Sequence, residues 1–269
     1  MNPFQLGDDY NLNEVNRFIT KYELKKTIHA GRKNAVAIAY RKKNLNLVCV
    51  KAVSNPYYCK LKETKYLKQL RNTTGIIYYY EYFHVKPTVH LLVTEYFGNM
   101  NLKHYLKKNG PLSEKQCHTI MKQLISIVNQ CTRSRIFHRN IKLSHIRINE
   151  KTLKIKLINF SLACHLHSGY YFDKLHPCIA PPEWFKYEHY KADGANVWSL
   201  GIILYQLLLN RLPFESPFST AFFKCDIFKE NHLSFDVKIL INWMFTKSPS
   251  KRITIKLMQY HPWVLNQWI

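Results

Sequence analysis

The hydrophobic pattern of the chain changes period once, at Asn101, and that change restricts the fold to two unlike halves. Before it, Lys21–His29, Ala35–Arg41, Leu45–Val53, Ile76–His84 and Val89–Phe97 alternate or run apolar, and all read as strands. An alternating repeat puts every second side chain on one face of a sheet. Lys42-Lys43-Asn44 and Lys86-Pro87-Thr88 supply hairpin turns, and Lys60–Leu70 has the composition of an inserted helix. After Asn101, Cys117, Ile120, Met121, Leu124, Ile125, Val128 and Cys131 recur at the spacing of one helix face, with Ser113 as N-cap and Gln116 completing a capping box. Short strands follow at His145–Ile148 and Lys154–Ile158, and Val197–Leu209 is apolar enough to predict a helix buried on all sides. The expected fold is α+β and two-lobed. An N-terminal extension and a small β-rich lobe occupy 1–97, and a larger helical lobe occupies 98–269.

Forty Lys and Arg against 17 Asp and Glu leave a formal surplus of +23 over 269 residues, while 46% of the residues are hydrophobic. That much apolar surface excludes a disordered polyelectrolyte. The 7 cysteines are scattered, odd in number and free of any C-x-x-C pair, so neither a zinc site nor a complete disulfide framework is expected, and a reducing compartment fits. Residues 1–10 show no basic stretch followed by an apolar one, which argues against a secretory signal. Val197–Leu209 falls short of the roughly 20 residues that span a bilayer. The expectation is an intracellular protein, cytoplasmic or nuclear, with no transmembrane segment. The acidic residues are placed unevenly: no Asp lies between Asp9 and Asp173.

Four short stretches stand in a telling order. Val48-Cys49-Val50-Lys51 ends a strand; His138-Arg139-Asn140-Ile141-Lys142-Leu143-Ser144-His145 precedes a short strand pair; Asn159-Phe160-Ser161 follows 19 positions after Asn140; Pro181-Pro182-Glu183 comes later. Downstream lie Val197-Trp198-Ser199-Leu200-Gly201 and Arg252. In this order and spacing, residues 22–264 resemble a protein kinase domain, and APPEWFKYEHY at 180–190, VWSLGIILYQLL and QYHPWV look closest to the PIM serine/threonine kinases.

The resemblance assigns roles residue by residue. Gly31 and Val36 would belong to the glycine-rich loop, Lys51 and Glu63 to the phosphate-contacting ion pair, Thr94, Glu95 and Phe97 to the gatekeeper and hinge, and Lys142 to the catalytic loop. His138, Arg139, Phe160, Glu183 and Arg252 would be structural. Several departures count against catalysis. The loop reads His29-Ala30-Gly31-Arg32-Lys33-Asn34-Ala35-Val36 and keeps only its central glycine. Asn140 replaces the Asp base, and a neutral amide accepts no proton at useful pH. His145 replaces the Asn that ligates the second magnesium, and Asn159 replaces the Asp that holds the first. Glu150 lies nearby in sequence but past a strand end, and Asp173 falls in the activation segment. Cys49 and Arg147 stand at positions that line the adenine ring in the family, where an arginine should spoil an apolar floor or reach outward. Arg139, which grips a phosphorylated activation segment in many kinases, has Ser161 and Ser168 as candidate acceptors.

The resulting expectation is a pseudokinase, a protein-interaction or regulatory module with little or no phosphoryl transfer, whose partner is an active kinase or a kinase substrate. No catalytic residue is expected to function, no cofactor is required, ATP is admitted and bound Mg²⁺ is not expected. Two alternatives stand beside it: a residual serine/threonine kinase with weak or metal-independent ATP use, and a basic nucleic-acid-binding protein on a kinase fold. PIM kinases read basic substrates with acidic groove residues. Here Leu143 and Ser144 follow Lys142, and Asn99–Lys108 carries Lys103, Lys107 and Lys108 without an acid, so an acidic partner suits the chain better.

Overall fold

A computed structural model describes residues 10–32, 34–54, 62–214, 216 and 225–266. The chain divides into two compact units, Met1–Asn72 with Ile77–Phe97, and Thr73–Ile76 with Gly98–Ile269. The first is built on a sheet and the second on helices, the mixed α+β arrangement that the change of period predicts.

In the first unit, β1 (Tyr22–Ala30), β2 (Asn34–Arg41), β3 (Asn46–Ser54), β4 (Tyr79–Lys86) and β5 (Val89–Glu95) form an antiparallel sheet in the order β1-β2-β3-β5-β4. Val36 lies opposite Lys51, which lies opposite Leu92; Ile38 lies opposite Cys49, which lies opposite Thr94. Residues facing each other across a ladder share a face, so these six side chains stand on one side of the sheet. The other side carries Ala35, Ala39, Val48, Val50, Ala52, Leu91 and Val93, all buried together with Phe83.

That second face is covered by a helix the hydrophobic alternation does not reveal. α1 (Leu12–Lys21) starts at Asn11, whose side chain accepts from the Glu14 amide, and lays Phe18 against the sheet. The Phe18 ring meets Phe83 edge-on at 5.3 Å and stacks on Tyr22 at 5.5 Å. The reading of the first hundred residues as strands with one inserted helix is therefore corrected. The cause is a weak stripe: Leu12 and Ile19 are exposed, leaving Val15 and Phe18 to carry the helical period. α2 (Lys62–Gln69) is the helix expected from composition.

The second unit contains α3 (Leu102–Asn109), α4 (Glu114–Arg133), β6 (Ile136–Phe137), β7 (Ile146–Ile148), β8 (Ile155–Leu157), β9 (Cys164–His165), α5 (Pro182–Tyr187), α6 (Ala192–Leu209), α7 (Phe235–Met244), α8 (Ile255–Met258) and α9 (Pro262–Leu265). The capping box of α4 forms as the sequence indicates: Ser113 Oγ accepts the Gln116 amide at 3.3 Å, and the Ser113 amide donates to Gln116 Oε1 at 3.0 Å. α6 begins five residues before its apolar run, because polar residues at its start have buried partners; Asp193 accepts the Ile255 amide at 3.3 Å.

Around α6 sits a fully enclosed ion pair. Arg252 donates to Glu183 through both terminal nitrogens at 2.8 and 2.7 Å, to the Gly194 carbonyl at 2.9 Å and, through Nε, to the Thr246 carbonyl at 2.9 Å. Its guanidinium carbon lies 5.0 Å from the centre of the Trp198 ring. A Cβ at position 194 would stand 3.2 Å from Arg252 Nη1 and 3.4 Å from Glu183 Oε1, so the approach leaves little room for a side chain. Breaking a buried pair by removing one partner strands the other charge and costs about 3–5 kcal/mol. Arg252→Ala is therefore expected to lower the unfolding free energy by that amount in urea denaturation, and Glu183→Gln to follow the same direction.

Candidate functional site

Each unit carries its own share of the residues that the resemblance singles out. In the first, Lys51 Nζ donates to Glu63 Oε2 at 2.7 Å. Glu63 is 3% exposed and Lys51 23%, so the pair is largely screened from water. It draws α2 toward the sheet face that also bears Val36 and Thr94. Residues 55–61, which connect β3 to α2 and include Cys59, lie outside the described residues, as does Lys33.

The β1–β2 turn is closed on itself. The Gly31 amide donates to the Asn34 carbonyl at 2.8 Å, and His29 Nε2 meets Asn34 Oδ1 at 3.2 Å. A Cβ on Gly31 would approach His29 Nε2 to 3.2 Å. The amide of the one retained glycine is thus already used inside the turn. At the end of β5, the Glu95 amide donates to the Tyr78 carbonyl at 2.9 Å and the Tyr78 amide donates to Glu95 Oε1 at 2.6 Å. Thr94 is buried and bonds the Glu95 carbonyl through Oγ1 at 3.4 Å, and Phe97 is half-buried at the end of the unit.

In the second unit, the segment before β7 and the segment after β8 meet. His138 is buried; its Nε2 donates to the Ile158 carbonyl at 3.1 Å, and its Nδ1 accepts the Asn140 amide at 3.2 Å. This fixes the neutral tautomer, because a proton on Nδ1 would face another N–H. Burial, and then the neighbouring His145, push the imidazole pKa down to about 3. The Phe160 ring stands edge-on to it at 4.5 Å.

The positions where the family has its metal ligands are joined by hydrogen bonds. His145 Nδ1 lies 2.8 Å from the Asn140 carbonyl and must donate there, so Nε2 accepts from Asn159 Nδ2 at 2.9 Å. Asn159 Oδ1 in turn accepts the Ser161 hydroxyl at 2.8 Å. Asn159 holds φ of 65°, a left-handed conformation that asparagine tolerates. Asn140 is 7% exposed, and its Oδ1 has no hydrogen-bond partner among the described residues. Leaving such an oxygen buried costs about 1–3 kcal/mol. The groups that these hydrogen bonds join are amides, an imidazole and a hydroxyl, and none of them is a carboxylate. Mg²⁺ prefers charged oxygen, so this set does not fit it.

The remaining residues also find partners. Arg139, at φ of 64°, donates from Nε to the Leu162 carbonyl at 2.6 Å and pairs with the carboxylate of Asp173. Of the two serines that the resemblance offers as phosphate acceptors for Arg139, Ser161 bonds Asn159 and Ser168 lies exposed. Nothing in the spacing of the sequence pairs Asp173, the first Asp after Asp9, with Arg139. Lys142 is half-buried, and burial lowers its pKa. Arg147 takes the outward course, donating to the Asn99 carbonyl at 2.6 Å. Glu150 is exposed and pairs with Lys108 at 2.8 Å, so it supplies no substitute carboxylate. The Ser161 link and the Asn99 contact depend on loop geometry and have no signature in spacing.

Comparison with known proteins agrees with this geometry. The family profile described as protein kinase domain matches residues 22–264. The mitosis inducer protein kinase cdr1 of Schizosaccharomyces pombe is 29% identical over 256 residues, 91% of this chain and 42% of that protein. The serine/threonine-protein kinase prk-2 of Caenorhabditis elegans is 28% identical over 263 residues, covering 93% and 60%. The serine/threonine protein kinase OSK3 of Oryza sativa subsp. indica is 31% identical over 257 residues, covering 91% and 50%. The chain thus spans 42% to 60% of the length of these relatives.

The buried imidazole makes stability depend on acid. A histidine held neutral in the fold, with a pKa of about 3 against an ordinary 6.5, contributes fully above pH 6.5 and loses that contribution as pH falls toward 3. At pH 5 the loss from His138 is roughly 2 kcal/mol. The wild-type melting temperature should fall between pH 7 and pH 5 more steeply than that of His138→Phe, each compared with its own value at pH 7.

Proposed function

The chain belongs to the protein kinase domain family, and from that premise we propose that it is a pseudokinase, which keeps the fold and transfers little or no phosphate. One observation carries the reading: the hydrogen-bonded run from the Asn140 carbonyl through His145 and Asn159 to Ser161. Phosphoryl transfer in this family needs a carboxylate to orient the attacking hydroxyl and carboxylate-held metal to neutralise the phosphates. Asn140 offers a neutral amide in place of the first. Asn159 has its oxygen bonded by Ser161 and its nitrogen by His145 in place of the second. Loss of a positioned base alone lowers the rate by roughly 10²–10⁴. Such a protein acts by occupying a protein partner, an active kinase or a kinase substrate, inside the cell. Its nearness to the PIM kinases rests on the motifs at 180–190 and in α6, while the named relatives are serine/threonine kinases of several kinds.

A second reading is favoured by the Lys51–Glu63 pair, which is formed although catalytic carboxylates are missing. It makes the chain a residual serine/threonine kinase that still takes ATP. Phosphate transfer from ATP to the protein itself or to a peptide panel decides between them. The expected result is a rate no higher than that of Lys51→Ala; transfer that Lys51→Ala abolishes would overturn the pseudokinase reading.

Nucleotide binding is a separate question, answered by melting the protein with saturating ATP in the presence and absence of Mg²⁺. A ligand at a hundredfold its dissociation constant adds about 2.7 kcal/mol. Any shift is expected to be the same with and without the metal, and Asn159→Asp is expected to introduce metal dependence. A wild-type shift that requires Mg²⁺ favours the residual enzyme.

A further inference from the structure

A concavity of about 520 Å³ opens on the second unit against α4, apart from every residue discussed above as part of the kinase machinery. α4 turns Lys115, Thr119 and Lys122 toward it, residues four and three apart that share one helix face. The two lysines are separated by about 10 Å along the helix axis. Lys154 and Thr152 reach it from the β7–β8 hairpin.

Its walls are fixed rather than incidental. On one side, Gln123 pins the hairpin to α4: Nε2 donates to the Leu153 carbonyl at 3.0 Å and Oε1 accepts the Ile155 amide at 3.1 Å. On the other, buried His118 pins α9 through Nε2 and the Val264 carbonyl at 3.1 Å, with its ring edge-on to Trp263 at 5.4 Å. Among the described residues, no Asp or Glu lines the space. The acid nearest in sequence on α4, Glu114, is engaged by the Trp263 indole at 2.8 Å and the Ser234 amide at 3.0 Å; Glu150 of the hairpin is engaged by Lys108. Among the described residues, none of the three lysines is paired with a carboxylate.

Three lysines that border one concavity, without a carboxylate partner among the described residues, attract a multiply charged anion. The described residues that line it are all polar or basic by type. Its volume falls within the range of about 300–1,000 Å³ usual for small-molecule sites. Lysine binds phosphate as a rotatable point charge and needs no planar fork. We propose that this concavity is a binding site for a compact polyphosphate, a small molecule carrying linked or clustered phosphoryl groups, held by Lys115, Lys122 and Lys154. The site is independent of whether the chain transfers phosphate.

The test is titration calorimetry on the full chain at physiological salt, with inorganic tripolyphosphate for the linked source and inositol hexakisphosphate for the clustered one. Saturable binding of at least one at a single site is expected. Replacing Lys115, Lys122 and Lys154 together by Gln should weaken it at least about tenfold, while Lys26, Lys43 and Lys256 replaced together by Gln, the same change in net charge, should alter it less than about twofold. Lys51→Ala should leave it unchanged. Because the substituted lysines are exposed, a melting curve verifies that both triple variants fold. Equal weakening by the two triple variants, dependence on Lys51, absence of binding, or tighter lysine-dependent binding of an oligoglutamate peptide would each overturn the proposal.

Discussion

The second unit is organised by a guanidinium with no exposed surface. Arg252 is satisfied on every side, by both oxygens of Glu183, by carbonyls of Gly194 and Thr246, and by the Trp198 ring. A pair this deep adds little net stability over a well-packed apolar substitute, because both ions had to leave water. Its effect is geometric. Glu183 lies on α5, Gly194 at the start of α6, and Arg252 just before α8, so one planar, bidentate contact sets the mutual position of three segments distant in sequence. Trp198, stacked on Phe214 at 5.5 Å and meeting Phe245 at 5.0 Å, continues that order into the apolar interior.

The same logic of complete hydrogen bonding governs the segment from His138 to Ser161. A neutral imidazole at 138 receives one amide and donates to one carbonyl. The imidazole at 145 receives the Asn159 amide nitrogen and donates to the Asn140 carbonyl. With carboxylates at 140 and 159, this region would carry negative charge that calls for metal. With amides, the groups largely satisfy one another, and the leftover Asn140 oxygen is the one mark of the missing chemistry. Arg139 repeats the pattern farther out, where an aspartate occupies the guanidinium that a phosphate would otherwise engage.

How far the sequence could be read depended on where each signal resides. Strand alternation, the α4 capping box and the apolar run of α6 are local, and each appears where the spacing indicates. α1 escaped because half of its apolar residues face solvent and only the alanine-lined face of the sheet gives the others something to cover. The Lys51–Glu63 pair was legible as a pair of residue types but not as a contact, since it depends on where α2 docks. Arg147 was legible as a misfit in an apolar position, and the Asn99 carbonyl decided how the misfit is resolved.

By itself, then, the sequence determined the two-part α+β organisation, the kinase motif order and the absence of carboxylates at 140 and 159, because periodicity and residue identity are properties of the chain alone. Only the tertiary structure decided what those amides do instead, that Asp173 rather than a serine meets Arg139, and that three lysines from a helix and a hairpin face one concavity. These outcomes join residues many positions apart through hydrogen bonds and charge. Such interactions act over a few ångströms in space, and spacing along the chain does not encode which distant groups will come that close.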